Sequence, residues 1–250
     1  MAELPAVPPP PWQRLPDRAA RRRRDPISRE AIVAAAIRLL DADGLDALSM
    51  RSIADELGTG AASLYWHVGS KDGLLDLVFD EIIGEGMRGI PDPVPSRWQE
   101  QLKDVARAQR AVTIRHPYVV RISIGRIPMG PNALRYSERV LAILRAGGLP
   151  PDLAVQGSHL LIATVNGFTV DETGVSDSDG APATAETEQA AAMARDYLAG
   201  LPAEQFPNLV ALADEFGYAD RDAQFELLID IFVDGLARKA AAAGAHPPEA

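Results

Sequence analysis

The sequence has 250 residues, no cysteine and a formal net charge of -10. A chain of this length can bury one large core or two smaller ones, and the absence of cysteine excludes disulfides and cysteine-based zinc sites. The N-terminus is proline-rich and no run of about 18 uncharged apolar residues occurs, so we expect neither a signal peptide nor a membrane span. Apolar residues recur at helical spacing, which predicts an all-α protein, and a cytoplasmic location is expected.

The charge is divided unevenly along the chain. Residues 1–71 carry 10 Lys and Arg against 9 Asp and Glu, a net charge of +1, whereas residues 72–250 carry 15 against 26, a net charge of -11. Only the first segment is therefore suited to approach a polyphosphate. Five arginines lie between positions 18 and 24. They form either a solvated tail or an arm that neutralises DNA phosphates or enters a minor groove.

The first predicted elements follow an N-terminal arm, residues 1–26, which we expect to be disordered because proline cannot propagate a helix or a sheet. Apolar stripes at helical spacing then predict four helices, each bounded by a serine that can cap a helix or a glycine that can end one. These helices cover about 26–42, 49–57, 61–68 and a stretch from 70 onwards. Ala54 and Gly58 lie four residues apart at the junction of the second and third helices, which is typical of a helix-turn-helix.

A proline hinge at 90–96 precedes a second helical region. Strand-like alternation is missing there, and helical patterns cover about 96–115, 118–126, 131–147, 151–170, 186–200, 207–216 and 220–243. Residues 173–188 form a polar loop, within which 177–186 matches the later half of a calcium-binding loop. Val175 at the first ligand position and the intruding Pro182 argue against calcium.

One stretch, LSMRSIADELGTGAASLYWHVGSKDGLLDLV at 48–78, carries a family resemblance. It resembles the DNA-binding head of the TetR family of bacterial repressors, and its LYWHV core followed by Lys71 is especially similar to the tetracycline-repressor branch. The resemblance covers about residues 27–83, and HPYVVRI and RIPMGPN extend it more weakly into the second region. It implies a helix-turn-helix DNA-binding domain at 27–72 and a helical effector-binding and dimerisation domain at 73–250.

The resemblance implies a function as well as a fold. A homodimer would place one recognition helix per subunit in the major groove of a palindromic double-stranded DNA operator, and a small-molecule effector would release this repressor from DNA. By position, the residues implied to touch DNA are Arg51, Ala61, Ala62, Ser63, Tyr65, Trp66, His67 and Lys71.

The chemistry of these residues fits contact with DNA. Arg51 can bond guanine in two places, although it could also pair with Asp55 four residues on. Tyr65, Trp66 and His67 carry donors for phosphate oxygens, and the alternative for each is a structural role inside the head. Ala61 and Ala62 offer only apolar contact, which leaves room for readout of DNA shape.

In this family the C-terminal domain binds a small molecule and forms the dimer. Polar residues on otherwise apolar helix faces are the candidates for ligand contact, namely His116, Arg126, Asn132, His159 and Asn166. Each could equally be a satisfied polar group at a helix interface. The drug-reading and metal-reading positions of the tetracycline branch do not recur recognisably, so tetracycline is not the predicted effector. The two most apolar helical runs, 153–170 and 225–241, are predicted to form a four-helix dimer interface, with a monomeric core as the alternative.

An enzyme is the rival class of function. GTGAAS at 58–63 follows a predicted helix rather than a strand, so it is not a dinucleotide loop. The sequence has no P-loop, no G-x-S-x-G and no His-x-x-x-His. We therefore predict no catalytic residue, no metal site and no cofactor. A DNA-binding regulator without a small-molecule effector and a helical enzyme are the alternatives to a ligand-responsive repressor.

Overall fold

The computed structural model describes residues 27–173, 185–216 and 220–244. The N-terminal arm and the calcium-like stretch around 177–184 lie outside the described residues. Within these ranges the chain forms eleven α-helices and two short 3-10 helices, without a strand. The predicted all-α fold is confirmed.

Four helices build the head of the molecule, α1 (Arg29–Ala47), α2 (Met50–Glu56), α3 (Ala61–Val68) and α4 (Lys71–Gly86). Serine hydroxyls accept hydrogen bonds from backbone N–H groups at the starts of α1, α2 and α4, and the capping residues are Ser28, Ser49 and Ser70. These caps satisfy N–H groups that have no partner inside the helix, which is why the helices begin there. The backbone of α1 leaves helical geometry at Gly44, the residue at which the sequence predicted its end.

The turn between α2 and α3 depends on one glycine. Gly58 has a φ of +62°, in the left-handed region that favours glycine over other residues. The N–H of Thr59 donates to the carbonyl of Ala54 at 2.9 Å, and Ala54 is 2% exposed where the two helices meet. This geometry is the predicted helix-turn-helix.

The second region follows the predicted helices closely. Its α6 is shorter than the predicted 118–126 because Ile124 is extended and Gly125 has a φ of +73°. The last predicted run before α11 divides into a short helix and a 3-10 turn. The elements are a 3-10 helix at Pro95–Arg97, α5 (Trp98–Arg115), α6 (Tyr118–Ser123), α7 (Pro131–Ala146), α8 (Pro151–Thr173), α9 (Ala185–Ala199), α10 (Pro207–Ala211), a second 3-10 helix at Ala213–Glu215, and α11 (Arg221–Gly244).

Two buried cores organise these helices. One is built by α5, α7, α8 and α11, with Leu102, Ile143 and Phe225 among its fully buried side chains. The other lies inside the head and includes, besides residues of α1 to α4, the side chains of Val119 and Ile122 from α6. The core of the head therefore extends into α6, which follows the predicted domain boundary at residue 72 by more than forty positions.

Length and composition single out α8 as the one described helix that could cross a membrane. Its side chains Leu161 and Val165 are buried in the second core, against α5, α7 and α11. A central helix of a helical domain meets the same criteria as a membrane span, because its core-facing side is equally apolar.

We predict that α6 supports the stability of the head. Ile122→Ala should lower the free energy of unfolding by about 3 kcal/mol, because it removes a side chain that is 3% exposed in the head core. Ile124→Ala is the matched control, since Ile124 lies two residues later and is 75% exposed. This substitution should lower the free energy of unfolding by less than about 0.5 kcal/mol. Urea denaturation followed by circular dichroism measures both, and equal effects would contradict the assignment of α6 to this core.

Candidate functional site

The third helix of the head has one buried side and one exposed side. Leu64 and Val68, one helical turn apart, are 0% and 3% exposed and hold α3 in the head core. Tyr65 is 47% exposed and Trp66 is 66% exposed. Large aromatic side chains at such exposure contribute little to the core, so they form a surface that is suited to contact with another molecule.

The start of α3 adds short side chains beside the aromatic pair. Ala62 is exposed, and Ala61 and Ser63 are half-buried, with Ala61 also packing against the head core. Arg51 near the start of α2 is almost fully exposed, and its Nε lies 3.9 Å from Asp55 Oδ2. An exposed pair of this kind contributes only about 0.3–0.5 kcal/mol, so the Arg51 guanidinium is free to exchange this carboxylate for another partner.

Two cations link the end of α3 and the start of α4 to α1. The carbonyl of His67, whose side chain is half-buried, accepts a hydrogen bond from Arg29 Nε at 3.1 Å. The Nζ of Lys71 donates to the carbonyl of Leu48 at 2.6 Å, at the C-terminal cap of α1. An ammonium group has three N–H donors, so Lys71 can keep this bond and still donate to a phosphate.

A buried polar cluster joins the head to the second region. His116, at the end of α5, is 4% exposed and lies between two carboxylates. Its Nδ1 is 2.6 Å from Asp41 Oδ1 of α1, and its Nε2 is 3.3 Å from Glu85 Oε2 of α4. Tyr118 donates its hydroxyl to the same Asp41 oxygen at 2.7 Å. Burial, and then this hydrogen bond, raise the pKa of Tyr118, so its hydroxyl stays protonated and keeps donating.

The segment after α6 is tied to α4 through Arg126 and through Asp80. The guanidinium of Arg126 pairs with Asp72 Oδ1 at 3.0 Å and also with Asp76. Asp80 of α4 accepts hydrogen bonds from the N–H groups of Asn132 and Ala133, at 3.1 and 2.9 Å, and so caps the start of α7. Together with Phe79 and Met129, several of these side chains line a shallow groove between α4 and the loop.

Another polar chain links α5, α7 and α8 beside the second core. Gln109 of α5 donates its amide to Asn166 Oδ1 of α8 at 2.9 Å and accepts from the Tyr136 hydroxyl of α7 at 2.8 Å. Burial raises the pKa of Tyr136, which keeps its hydroxyl a donor. Asn166 is one of the ligand residues predicted from sequence, whereas Gln109 and Tyr136 are not, because neither interrupts its helical pattern conspicuously.

The five candidate ligand residues are thus distributed over three places. His116, Arg126 and Asn132 lie beside α4 at the junction with the head, whereas Asn166 is half-buried on α8, where it is bonded to Gln109 of α5. His159 is exposed on the outer side of α8. The part of the chain that the structure describes contains no cluster of three His, Cys, Asp or Glu side chains able to hold a metal ion.

The outer sides of α8 and α11 carry exposed apolar side chains. Leu160 of α8 is 54% exposed, and Leu227 and Ile231 of α11 are 61% and 60% exposed. Gly157 lies on the buried side of α8. A Cβ at this position would lie 3.3 Å from the side chain of Leu236, so the glycine lets α8 and α11 of one chain approach each other. Gly167, in contrast, is on the exposed side of α8.

A helix-turn-helix head with an exposed aromatic face, joined to a helical second domain, defines a DNA-binding protein of the transcription-factor class. Residues 32–78 match the family described as bacterial regulatory proteins, tetR family, and residues 90–240 match the tetracyclin repressor-like C-terminal domain. The chain therefore belongs to the TetR family of transcriptional regulators.

Curated relatives agree with this membership. An HTH-type transcriptional regulator of Saccharopolyspora erythraea is 43% identical over 122 residues, which cover 49% of this chain and 51% of that protein. The chain thus spans about half the length of this relative. The tetracycline repressor protein class A from transposon 1721 of Escherichia coli is 29% identical over 211 residues, or 83% of this chain and 89% of the repressor.

A solved structure is similar over nearly its whole length. Apo ActR from Streptomyces coelicolor superposes with a TM-score of 0.77 at 42% identity, covering 87% of this chain and 98% of ActR. The complex of ActR with actinorhodin has a TM-score of 0.76 at the same identity.

Proposed function

We propose that this regulator is a ligand-responsive repressor, which binds a palindromic operator as a homodimer in the cytoplasm and leaves the DNA when a small-molecule effector binds. The exposed Tyr65 and Trp66, with Lys71 beside them on a helix-turn-helix head, are the observation that carries the DNA half of this proposal. Exposure of large aromatic rings to water is unfavourable in free energy. Contact with DNA would remove these rings from water, which explains their position on the surface.

Each residue of this face has a proposed role. Tyr65, Trp66, His67 and Lys71 would donate to phosphate oxygens and set the register of the head on the duplex. Arg51 would read a guanine, because its guanidinium is exposed and its pairing with Asp55 is weak. The short side chains Ala61, Ala62 and Ser63 would let α3 approach the bases closely, with apolar contacts to thymine methyl groups.

The DNA face is tested by the salt dependence of operator binding. Lys71→Ala should weaken operator binding and reduce the slope of log K against log salt by about 0.9, because one phosphate contact is lost. Tyr65→Ala should weaken binding with little change in slope, since its hydroxyl carries no charge. Fluorescence anisotropy on a duplex that the wild-type chain selects from a random-sequence pool measures both values.

Lys239→Ala is the control for this experiment. Lys239 is exposed on α11, far along the chain from the head, and its removal changes the net charge by the same amount. It should leave affinity and slope unchanged. A wild-type chain with a flat salt response, or equal effects of Lys71→Ala and Lys239→Ala, would contradict the proposed face.

The homodimer is supported by the exposed apolar side chains of α8 and α11. Leu160 and Gly167, two turns apart, share an exposed side of α8, and Leu227 and Ile231 are one turn apart on the outer side of α11. A four-helix interface between two copies would bury these side chains, with small residues such as Gly167 allowing close contact of the helices.

Replacing one of these side chains by a charge should disrupt the dimer. We expect Ile231→Glu to give a monomer, because an unpaired carboxylate would be buried at the interface. Ile124→Glu is the matched control, since Ile124 is even more exposed at 75% but lies in the loop after α6. Sedimentation equilibrium measures the mass of each variant, and a wild-type monomer or a dimeric Ile231→Glu variant would contradict this interface.

The effector half of the proposal is supported by ActR, which has been crystallised with actinorhodin and with (S)-DNPA. The half-buried polar chain of Tyr136, Gln109 and Asn166 links α7, α5 and α8 and offers donors and acceptors that a ligand could engage. We propose that the effector contacts this polar chain. The other candidate ligand residues are His159, near the proposed dimer face, and His116, Arg126 and Asn132, at the junction with the head. Binding would shift α6 and α4, and with them the distance between the two heads, away from the spacing of about 34 Å that successive major grooves require.

A melting experiment tests the effector half. Actinorhodin and (S)-DNPA should raise the melting temperature, because a ligand that binds only the folded state stabilises it, by about 2.7 kcal/mol at a hundredfold excess over Kd. The same compounds should release the operator in the anisotropy assay, whereas tetracycline should do neither. If neither compound changes the melting temperature, the result favours the alternative function, a DNA-binding regulator without such an effector.

A further inference from the structure

The recognition helix α3 is held by few constraints. It has eight residues, and only Leu64 and Val68 of these are buried. They lie one turn apart on a single line along the helix, so they oppose removal of α3 from the core more strongly than rotation about that line. At the N-terminus of α3, Gly60 provides no side-chain cap. A rotation of α3 would swing Tyr65 and Trp66 away from their present direction.

Arg29 acts on the other end of this helix. Its Nε donates to the carbonyl of His67 at 3.1 Å, across 38 positions of sequence. The backbone that carries this donor is well ordered by the helix, since Arg29 is the first residue of α1 and Ser28 caps that helix through the N–H of Ala31. A cationic donor suits the last turn of a helix, where carbonyl groups lack partners and the helix dipole is negative.

We propose that Arg29 is a positioning residue for DNA recognition. It sets the rotation of α3 by holding the His67 carbonyl, and thereby directs Tyr65 and Trp66 towards the duplex. This role rests on the proposed function of the exposed face of α3. It assigns to Arg29 an effect on operator affinity that acts through the recognition helix and needs no contact of its own with DNA.

Direct contact between Arg29 and a phosphate is the competing explanation for any such effect. The two explanations differ in what matters about the side chain. Positioning needs a donor at the place of Nε, whereas phosphate contact needs the positive charge. Loss of a phosphate contact also reduces the slope of log K against log salt by about 0.9, and loss of positioning leaves this slope unchanged.

Two neutral substitutions separate the donor from the charge. In R29Q the amide Nε2 is as many bonds from Cα as the arginine Nε, so it can donate to the same carbonyl. In R29M a methyl carbon occupies that place and no donor is present. Both variants lose one positive charge. Both side chains also place their terminal atom, Nε2 in glutamine and Cε in methionine, four bonds from Cα.

Operator affinity and its salt slope are measured by anisotropy on the duplex selected by the wild-type chain. We expect the Kd of R29M to rise about tenfold, the loss of one well-placed charged hydrogen bond, and the Kd of R29Q to stay within about threefold of the wild type. The salt slopes of both variants should equal that of the wild type. Equal weakening of R29Q and R29M with reduced slopes, or an unchanged Kd in R29M, would overturn the proposal.

R38M is the matched control on the same helix. Arg38 pairs with Glu56 of α2 at 2.6 Å and makes no hydrogen bond to α3. Its Kd should change less than that of R29M, and an equal rise would overturn the proposal because any arginine of α1 would then suffice. Failure of this inference can be told from failure of the DNA face, because Lys71→Ala and Tyr65→Ala would still weaken binding if only the role of Arg29 were wrong.

Discussion

The insertion of α6 into the core of the head is the interaction on which the rest of the structure depends. Val119 and Ile122 fill the space beside α1 and α4, and Tyr118 and His116 both bind the carboxylate of Asp41. Buried polar groups are costly when they lose their partners, so this junction has one favoured arrangement. The α6 helix, which lies in the part of the chain that matches the C-terminal family domain, therefore packs against α1 and α4, two of the helices that also contact α3.

The fourth helix is the second connection between the head and the C-terminal region. At its start, Lys71 donates to the carbonyl of Leu48 close to the exposed face of α3, and along its length Asp76 and Asp80 bind the segment that leads into α7. These contacts, at the start and in the middle of α4, connect α1 of the head to the segment before α7 through a single helix. Under the proposed function, the residues that stabilise this domain contact would also transmit an effector-driven change to the DNA.

The local features of the chain could be predicted from sequence because they depend on neighbours in sequence. Serine caps, glycine stops and apolar stripes at helical spacing predicted α1 to α4 and most of the later helices within a few residues. The division of SLYWHV into buried Leu64 and Val68 and exposed Tyr65 and Trp66 follows from the helical period alone. The end of α6 differed because Ile124 is apolar but extended, and the predicted helix at 207–216 divided into a short helix and a 3-10 turn.

The sequence by itself determined the helical elements, the helix-turn-helix and the side of α3 that faces outward, because each depends on residues within a few turns of one another. Only the tertiary structure decided that His116 binds Asp41, that Lys71 and Arg29 hold backbone carbonyls, and that α6 belongs to the head core. These contacts join residues 23 to 75 positions apart. No periodic pattern encodes such pairs, because they arise from the way in which complete helices pack.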